Sequence, residues 1–223
     1  MKNIILYITF LMLSLTYTSC NEELEIWDSN TLAYSGTFDF QLLSEDETTV
    51  YVGYSAGEQI QIYNTAANKE NEIWIHDLHH LFPLTSKFSL TGDASSFSST
   101  STNFDDLTNN LDALDLPTAD PTAAGETITE DREYLRGYVE NGSIGKADIQ
   151  TEGGNTSDSI KFKIVLYSGT ATFTAYETPE ETWVVPDTPE YAWEFTSVSY
   201  DNTKDETYVV SGYRYTGHSE DIH

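Results

Sequence analysis

From Tyr34 onward the chain breaks into short runs of Val, Ile, Thr, Tyr, Phe and Trp, each closed by turn residues. That rhythm predicts many short strands. Gly36–Leu43, Thr48–Tyr54, Gln59–Thr65 and Glu72–His76 come first, with Lys87–Leu90 as a fifth. In Gln59–Thr65 the residues alternate, so that Ile60 and Ile62 face one way and Gln59, Gln61 and Tyr63 the other. Asn141-Gly142 is a type I′ hairpin signal that joins Tyr134–Glu140 to Ser143–Gln150. In Ser159–Leu166, Ile160, Phe162, Ile164 and Leu166 alternate with Lys161, Lys163 and Val165. Tyr167-Ser168-Gly169 then reads as a turn into Thr170–Tyr176, and Tyr191–Tyr200 and Thr207–Tyr215 follow. Long amphipathic helices are absent from the pattern. The expected fold is all-β, an antiparallel up-and-down barrel or a sandwich. Closure favours the barrel, because it removes exposed edge strands.

Two segments interrupt this rhythm. Asp93 to Glu130 is crowded with Ser, Thr, Asp and Asn and carries Pro117 and Pro121. Leu107, Leu111 and Leu114 fall there at helical spacing, which allows one short helix after Asp105-Asp106. The rest reads as a long polar insertion, over about residues 98–133, of the kind that is either functional or disordered. Thr178 to Glu190, with Pro179, Pro186 and Pro189, reads as a second exposed loop.

The N-terminus has a different pattern. Lys2 precedes an apolar run from Ile4 to Leu15, and small or polar residues lead to Cys20, the single cysteine of the 223 residues. A positive start, a short apolar core and a small-residue cleavage site make residues 1–19 a secretory signal. The run is shorter than the about 20 apolar residues that span a bilayer. Cys20 resembles the acylated cysteine of bacterial lipoproteins, although Tyr17 stands where that pattern has Leu, Val or Ile. Residues 20–33 are then the acylated cysteine and a tether. Asn21-Glu22-Glu23 resembles the export signal of surface lipoproteins in Bacteroidota-type bacteria, and reads equally as an acidic tether. The expected place is the outer membrane, with the protein exposed at the surface.

Charge narrows the partners. Against 37 Asp and Glu the chain has 10 Lys and Arg, a net charge of −27. Phosphate recognition needs clustered cations, so nucleic acid is excluded. Membrane attachment therefore falls to acyl chains rather than to anionic headgroups, and stable anchoring takes more than one chain. With its one thiol acylated the domain has no disulfide, and its stability rests on core packing.

Candidate chemistry is sparse. Gly53-Tyr54-Ser55-Ala56-Gly57 matches the G-x-S-x-G pattern of serine hydrolases, and Asp77 and His218 follow in the required order. That motif lifts its serine on a strand-turn-helix, whereas Ser55 leads into a strand, so a Gly-bounded hairpin turn is the better reading. His76-Asp77-Leu78-His79-His80 holds the densest set of metal-ligand types, but its strand-like approach removes the helical spacing that would join His76 and His80. Asp105-Asp106 and Glu180-Glu181 lack the spacing of a calcium loop. No cofactor or metal is expected. Tyr and Trp make up a large share of the 13% aromatic content, which serves a β core, an apolar cavity or a sugar platform equally well.

Three stretches go beyond general β character. They are Ile62-Tyr63-Asn64-Thr65-Ala66 with Ile73-Trp74-Ile75, Asn141-Gly142-Ser143-Ile144 with Ser157-Asp158-Ser159-Ile160, and the C-terminal Tyr208 to Asp221. Together they resemble the Bacteroidota lipoproteins called lipid-binding putative hydrolases, over roughly residues 34–97 and 134–221. The resemblance implies a lipocalin-like antiparallel barrel and carries over no catalytic constellation. It implies architectural roles for Gly212 and Gly217 at bends, for Asp158 at a turn before Ser159, and for Arg214 closing one end of the barrel over an aromatic ring.

The expectation is a surface or outer-membrane lipoprotein with one β-barrel domain over 34–221. It would bind a lipid or other small apolar ligand without catalysis, with Ile62, Tyr63 and Trp74 as candidates for the cavity wall. A barrel of this size can also be filled by its own side chains. An esterase using Ser55, or a glycan- or protein-binding module using exposed aromatics and loops, are the alternatives.

Overall fold

The computed structural model describes residues 29–78, 82, 85–91, 96–107 and 114–221. The signal segment, Cys20, the first part of the tether, His79, His80 and Leu111 lie outside the described residues. Ten strands and short 3-10 turns make up the ordered elements, with no α-helix among the described residues. The strands are β1 (Gly36–Ser44), β2 (Val50–Val52), β3 (Gln59–Asn64), β4 (Glu72–His76) and β5 (Thr85–Thr91). They continue as β6 (Ser96–Ser99), β7 (Thr127–Gln150), β8 (Thr156–Glu177), β9 (Tyr191–Tyr200) and β10 (Glu206–Arg214).

All strand pairs are antiparallel, and the order runs β10-β1-β3-β4-β5-β6-β7-β8. β10 also pairs with β8, Glu206 opposite Leu166 and Tyr213 opposite Ser159. The eight strands therefore form a ring closed by hydrogen bonds. β2 pairs with β1 beside β3, on the same edge, so Gly53–Gly57 does not connect two paired strands. It forms a one-turn 3-10 excursion over Tyr54–Ala56 instead of the expected hairpin turn.

Alternation explains the ring. Phe38, Phe40 and Leu42 on β1 point inward, with Ile60 and Ile62 on β3, and Ile73 and Ile75 on β4. Ile160, Phe162, Ile164 and Leu166 complete the wall from β8. Phe97 stands edge-on between Phe88 and Phe162, with ring centroids 6.3 and 5.7 Å away. Fully burying each such side chain contributes about 1.5–3 kcal/mol, and the interior is filled by them.

Two expected turns are not turns. Asn141-Gly142 lies inside the 24-residue β7, at a register shift between Glu140 and Ser143. Asn141 takes φ 53°, and a Cβ on Gly142 would collide with the Phe97 ring. The dipeptide makes a bulge rather than a hairpin, because it meets a neighbour that needs the missing side chain. Likewise Tyr167-Ser168-Gly169 sits inside the 22-residue β8. A Cβ at Gly169 would run into the Ser199 backbone, so this glycine lets β9 approach.

β7 and β8 consequently outrun the ring. Beyond Ser168 the partner of β8 changes from β10 to β9, while Thr127–Arg132 of β7 stays on its other edge. The buried parity of β8 changes too. Even residues from Ile160 to Leu166 face the ring interior, and Val165, Tyr167, Ala171, Phe173 and Ala175 bury the opposite face. Residues of the polar stretch cover that face. Phe104, from a 3-10 turn at Phe104–Asp106, and Leu107 pack on Leu135, Val165 and Tyr167. Leu114 packs there as well, and Trp193 donates its Nε1–H to the Ala119 carbonyl at 2.6 Å. β6, which the sequence pattern does not predict, closes the ring between β5 and β7 with Phe97 as its one buried apolar residue.

Candidate functional site

The ring has two different ends. At one, Arg214 from the last strand sits with its guanidinium carbon 4.9 Å from the centre of the Phe38 ring. Its Nε–H donates to Asp158 at 2.9 Å, and its terminal nitrogens donate to the carbonyls of Ser35 and of Ala33. Asp158 lies within β8 and also accepts from Lys146 at 2.9 Å and from the Ala147 amide at 3.0 Å. Burial alone would raise the Asp158 carboxyl, but these donors outweigh it and hold the group below its ordinary range. This end is stitched shut by charge-assisted bonds. Gly212 lies opposite Phe40 on β10, and Gly217 takes φ 76° beyond the strand.

The other end is aromatic. Phe82 packs edge-on to Tyr134, with centroids 5.4 Å apart, and lies 5.8 Å from Tyr208. Tyr51 approaches the other side of Tyr208 at 5.6 Å. The hydroxyls of Tyr134 and Tyr208 both donate to one oxygen of Glu206, the first at 2.8 Å. Burial first, and then the hydrogen bond to Glu206, push the Tyr208 phenol well above its ordinary pKa, so it stays a donor. Tyr134 reaches this position through strain. It adopts φ 55° at a register shift between Arg132 and Arg136, with its amide bonded to the Ser168 hydroxyl at 3.2 Å. Positive φ is a true outlier for so bulky a residue, and such bulges re-aim side chains beside functional sites.

Phe82 is the distinctive member. Among the described side chains buried in the ring interior it alone is not carried by a strand. Its backbone is tied down by Asp77: the Phe82 N–H donates to the Asp77 carboxylate at 2.7 Å, and Asp77 itself is 3% exposed. This end is plugged by a residue outside the strands, unlike the strand-borne opposite end.

A family model described as lipid-binding putative hydrolase matches residues 23–219. The chain belongs to this lipid-binding putative hydrolase family. A search of the curated proteins finds no match.

For a family with hydrolase in its description, the placement of Ser55, Asp77 and His218 matters. Ser55 is exposed and opens onto a surface cavity of about 400 Å³ with Tyr54, Ile149 and Tyr213. His218 opens onto another, of about 360 Å³, with Asp158 and Arg214. Asp77 is engaged with Phe82 at the aromatic end. No hydrogen bond joins the three among the described residues. A further cavity of about 480 Å³ lies between Leu114, Leu116 and Arg132 on the outside of the long strands, and Arg132 is already paired there with Glu130. No group of three or more side chains suited to holding a metal ion occurs among the described residues.

The candidate wall residues divide between two faces. Ile62 is buried in the ring interior, whereas its neighbour Tyr63 is 37% exposed on the outside. Trp74 pairs with Tyr63 across β3 and β4 and is half-buried on that outer face. Of the three, only Ile62 faces the interior. Nothing in the sequence marks Phe82, Tyr134, Tyr208 and Glu206, the residues of the aromatic end, as members of one site. Tyr134 and Tyr208 are 74 residues apart, and no local pattern links them.

Proposed function

We propose that the ring is a lipocalin-like barrel that takes the apolar part of a lipid through its aromatic end. The observation that carries this reading is Phe82: an apolar interior closed at one end by a ring that no strand carries. Membership of a lipid-binding family supports a lipid as the ligand. The energetics favour exchange at this place. Exposing a phenylalanine costs about 1.5–3 kcal/mol, which burial of about four methylenes at 0.8 kcal/mol each offsets. The strand-borne residues deeper in the ring resist displacement, because moving them breaks the ladder as well as the packing. The aromatic mouth is therefore the end that opens.

The same reading places the protein at the outer membrane, at the cell surface, with acyl chains on Cys20 as its anchor and residues 20–33 as the tether. A receptor for single lipid molecules held near a membrane needs a mouth that an acyl chain can reach from solution. Replacing Cys20 with Ser is expected to release the protein from the membrane fraction. Retention in that fraction would contradict the anchor.

Native mass spectrometry of the purified full chain tests the binding. A co-purifying or added lipid bound at one per chain, and displaced when Phe82 is enlarged to Trp, is the expected result. A mass unchanged across lipids of several classes would contradict it.

A further inference from the structure

The geometry points to a lipid with a protonated amine in its headgroup, held by Glu206 at the rim of the mouth. This deepens the lipid-binding reading above and rests on it. Glu206 is exposed and takes both tyrosine hydroxyls on a single oxygen, Oε2. Its other oxygen accepts no hydrogen bond, and no ion pair involves it, among the described residues. The two hydroxyls orient the carboxylate, and they leave one face of it directed to an incoming donor.

Described cations near Glu206 and further along β8 are already paired. Lys204, two residues before Glu206, pairs with Asp131 at 3.0 Å. Lys163 and Lys161, three and five residues along β8 from Leu166, which lies opposite Glu206, pair with Glu45 and Glu47 of the β1–β2 loop, at 3.1 and 2.6 Å. An anionic headgroup arriving at the mouth would meet Glu206 with these cations engaged. An ammonium would instead gain a charge-assisted hydrogen bond to Glu206. It would also meet the exposed ring of Tyr51 and the half-buried ring of Tyr208, whose faces attract cations. The net charge of −27 adds a long-range attraction of the same sign, which salt screens more strongly than it does the local contact.

The test uses the full chain and three probes of one chain length, dodecylammonium, dodecanol and dodecanoate, the two ions below their micelle concentrations and the alcohol below its solubility limit. Affinities are measured by calorimetry at physiological salt. The expected order is ammonium, alcohol, carboxylate, with the ammonium about tenfold tighter than the alcohol. Glu206→Gln is expected to lower the ammonium-to-alcohol ratio severalfold, and Glu180→Gln, in the distant proline-rich loop, to leave the ratio unchanged. Equal affinities, or dodecanoate as the tightest ligand, would overturn the headgroup assignment while leaving the mouth in place. A preference that persists in Glu206→Gln and weakens in Glu180→Gln would assign it to overall charge and overturn it too. If no probe binds, the mouth itself fails and the headgroup assignment with it.

Discussion

The buried carboxylate of Asp77 accepts the backbone N–H of Phe82 at 2.7 Å, and this bond pins an interior side chain that no strand carries. A charge-assisted bond of this kind contributes about 1.5–3 kcal/mol. Asp77→Asn should weaken it while keeping the shape of the side chain. Faster exchange of the Phe82 amide, and faster lipid uptake in stopped-flow mixing, are the expected outcomes. Unchanged exchange would mean that other contacts hold the plug.

Phe82→Ala should separate stability from binding. Losing a buried aromatic costs about 3 kcal/mol in denaturant unfolding. The same change removes most of the cost of opening, so lipid affinity should rise about tenfold or more. A variant that loses stability and affinity together would argue that Phe82 is ordinary core.

The opposite end carries a pH signature. Asp158 and Asp221 both have carboxyls below the ordinary value of 3.8. For Asp221 burial opposes this, and hydrogen bonds from Thr151 at 2.5 Å, Thr216 at 2.5 Å and Asn155 at 3.1 Å prevail. A depressed folded-state pKa makes the stabilisation complete above the unfolded value, and it disappears as pH falls through the folded one. Stability should therefore hold from neutral pH down to about 4 and decline below it. Asp158→Asn and Asp221→Asn should each flatten that decline in urea titrations run across the acid range.

Arg214 should be the costliest single residue at the stitched end. Arg214→Ala removes the ring contact with Phe38 and the bonds to Asp158, Ser35 and Ala33. It leaves Asp158 with Lys146 alone as its cation, for an expected loss of about 2–4 kcal/mol. Arg214→Lys keeps the charge but loses the planar fork, and should fall between the two. Lipid affinity should be unaffected, because the mouth is at the other end.

Much of the sheet was legible because most of its strands obey period two. β1, β3, β4, β9 and β10 lie within a residue or so of the runs that alternation marks out. What misled was turn chemistry inside long strands. Asn141-Gly142 and Tyr167-Ser168-Gly169 have the composition of turns, yet Phe97 and the β9 backbone use those glycines for close approach. β6 was invisible because Ser96–Ser99 holds one apolar residue, whose value comes from the ring around it. Phe82 shows no periodicity with its neighbours, and Glu206, Tyr134 and Tyr208 meet only through ring closure.

The central claim is that a lipid chain enters the ring at Phe82. A long-chain alcohol with a terminal diazirine, irradiated with the full chain and mapped by mass spectrometry, tests it most directly, and being uncharged it is independent of the headgroup. The account predicts labelling of inward-facing residues such as Leu42, Ile164 and Val210, reduced when Phe82 is replaced by Trp. Labelling confined to the outer cavity at Leu114 and Leu116, or to Tyr63 and Trp74, would place the lipid outside the ring and contradict it.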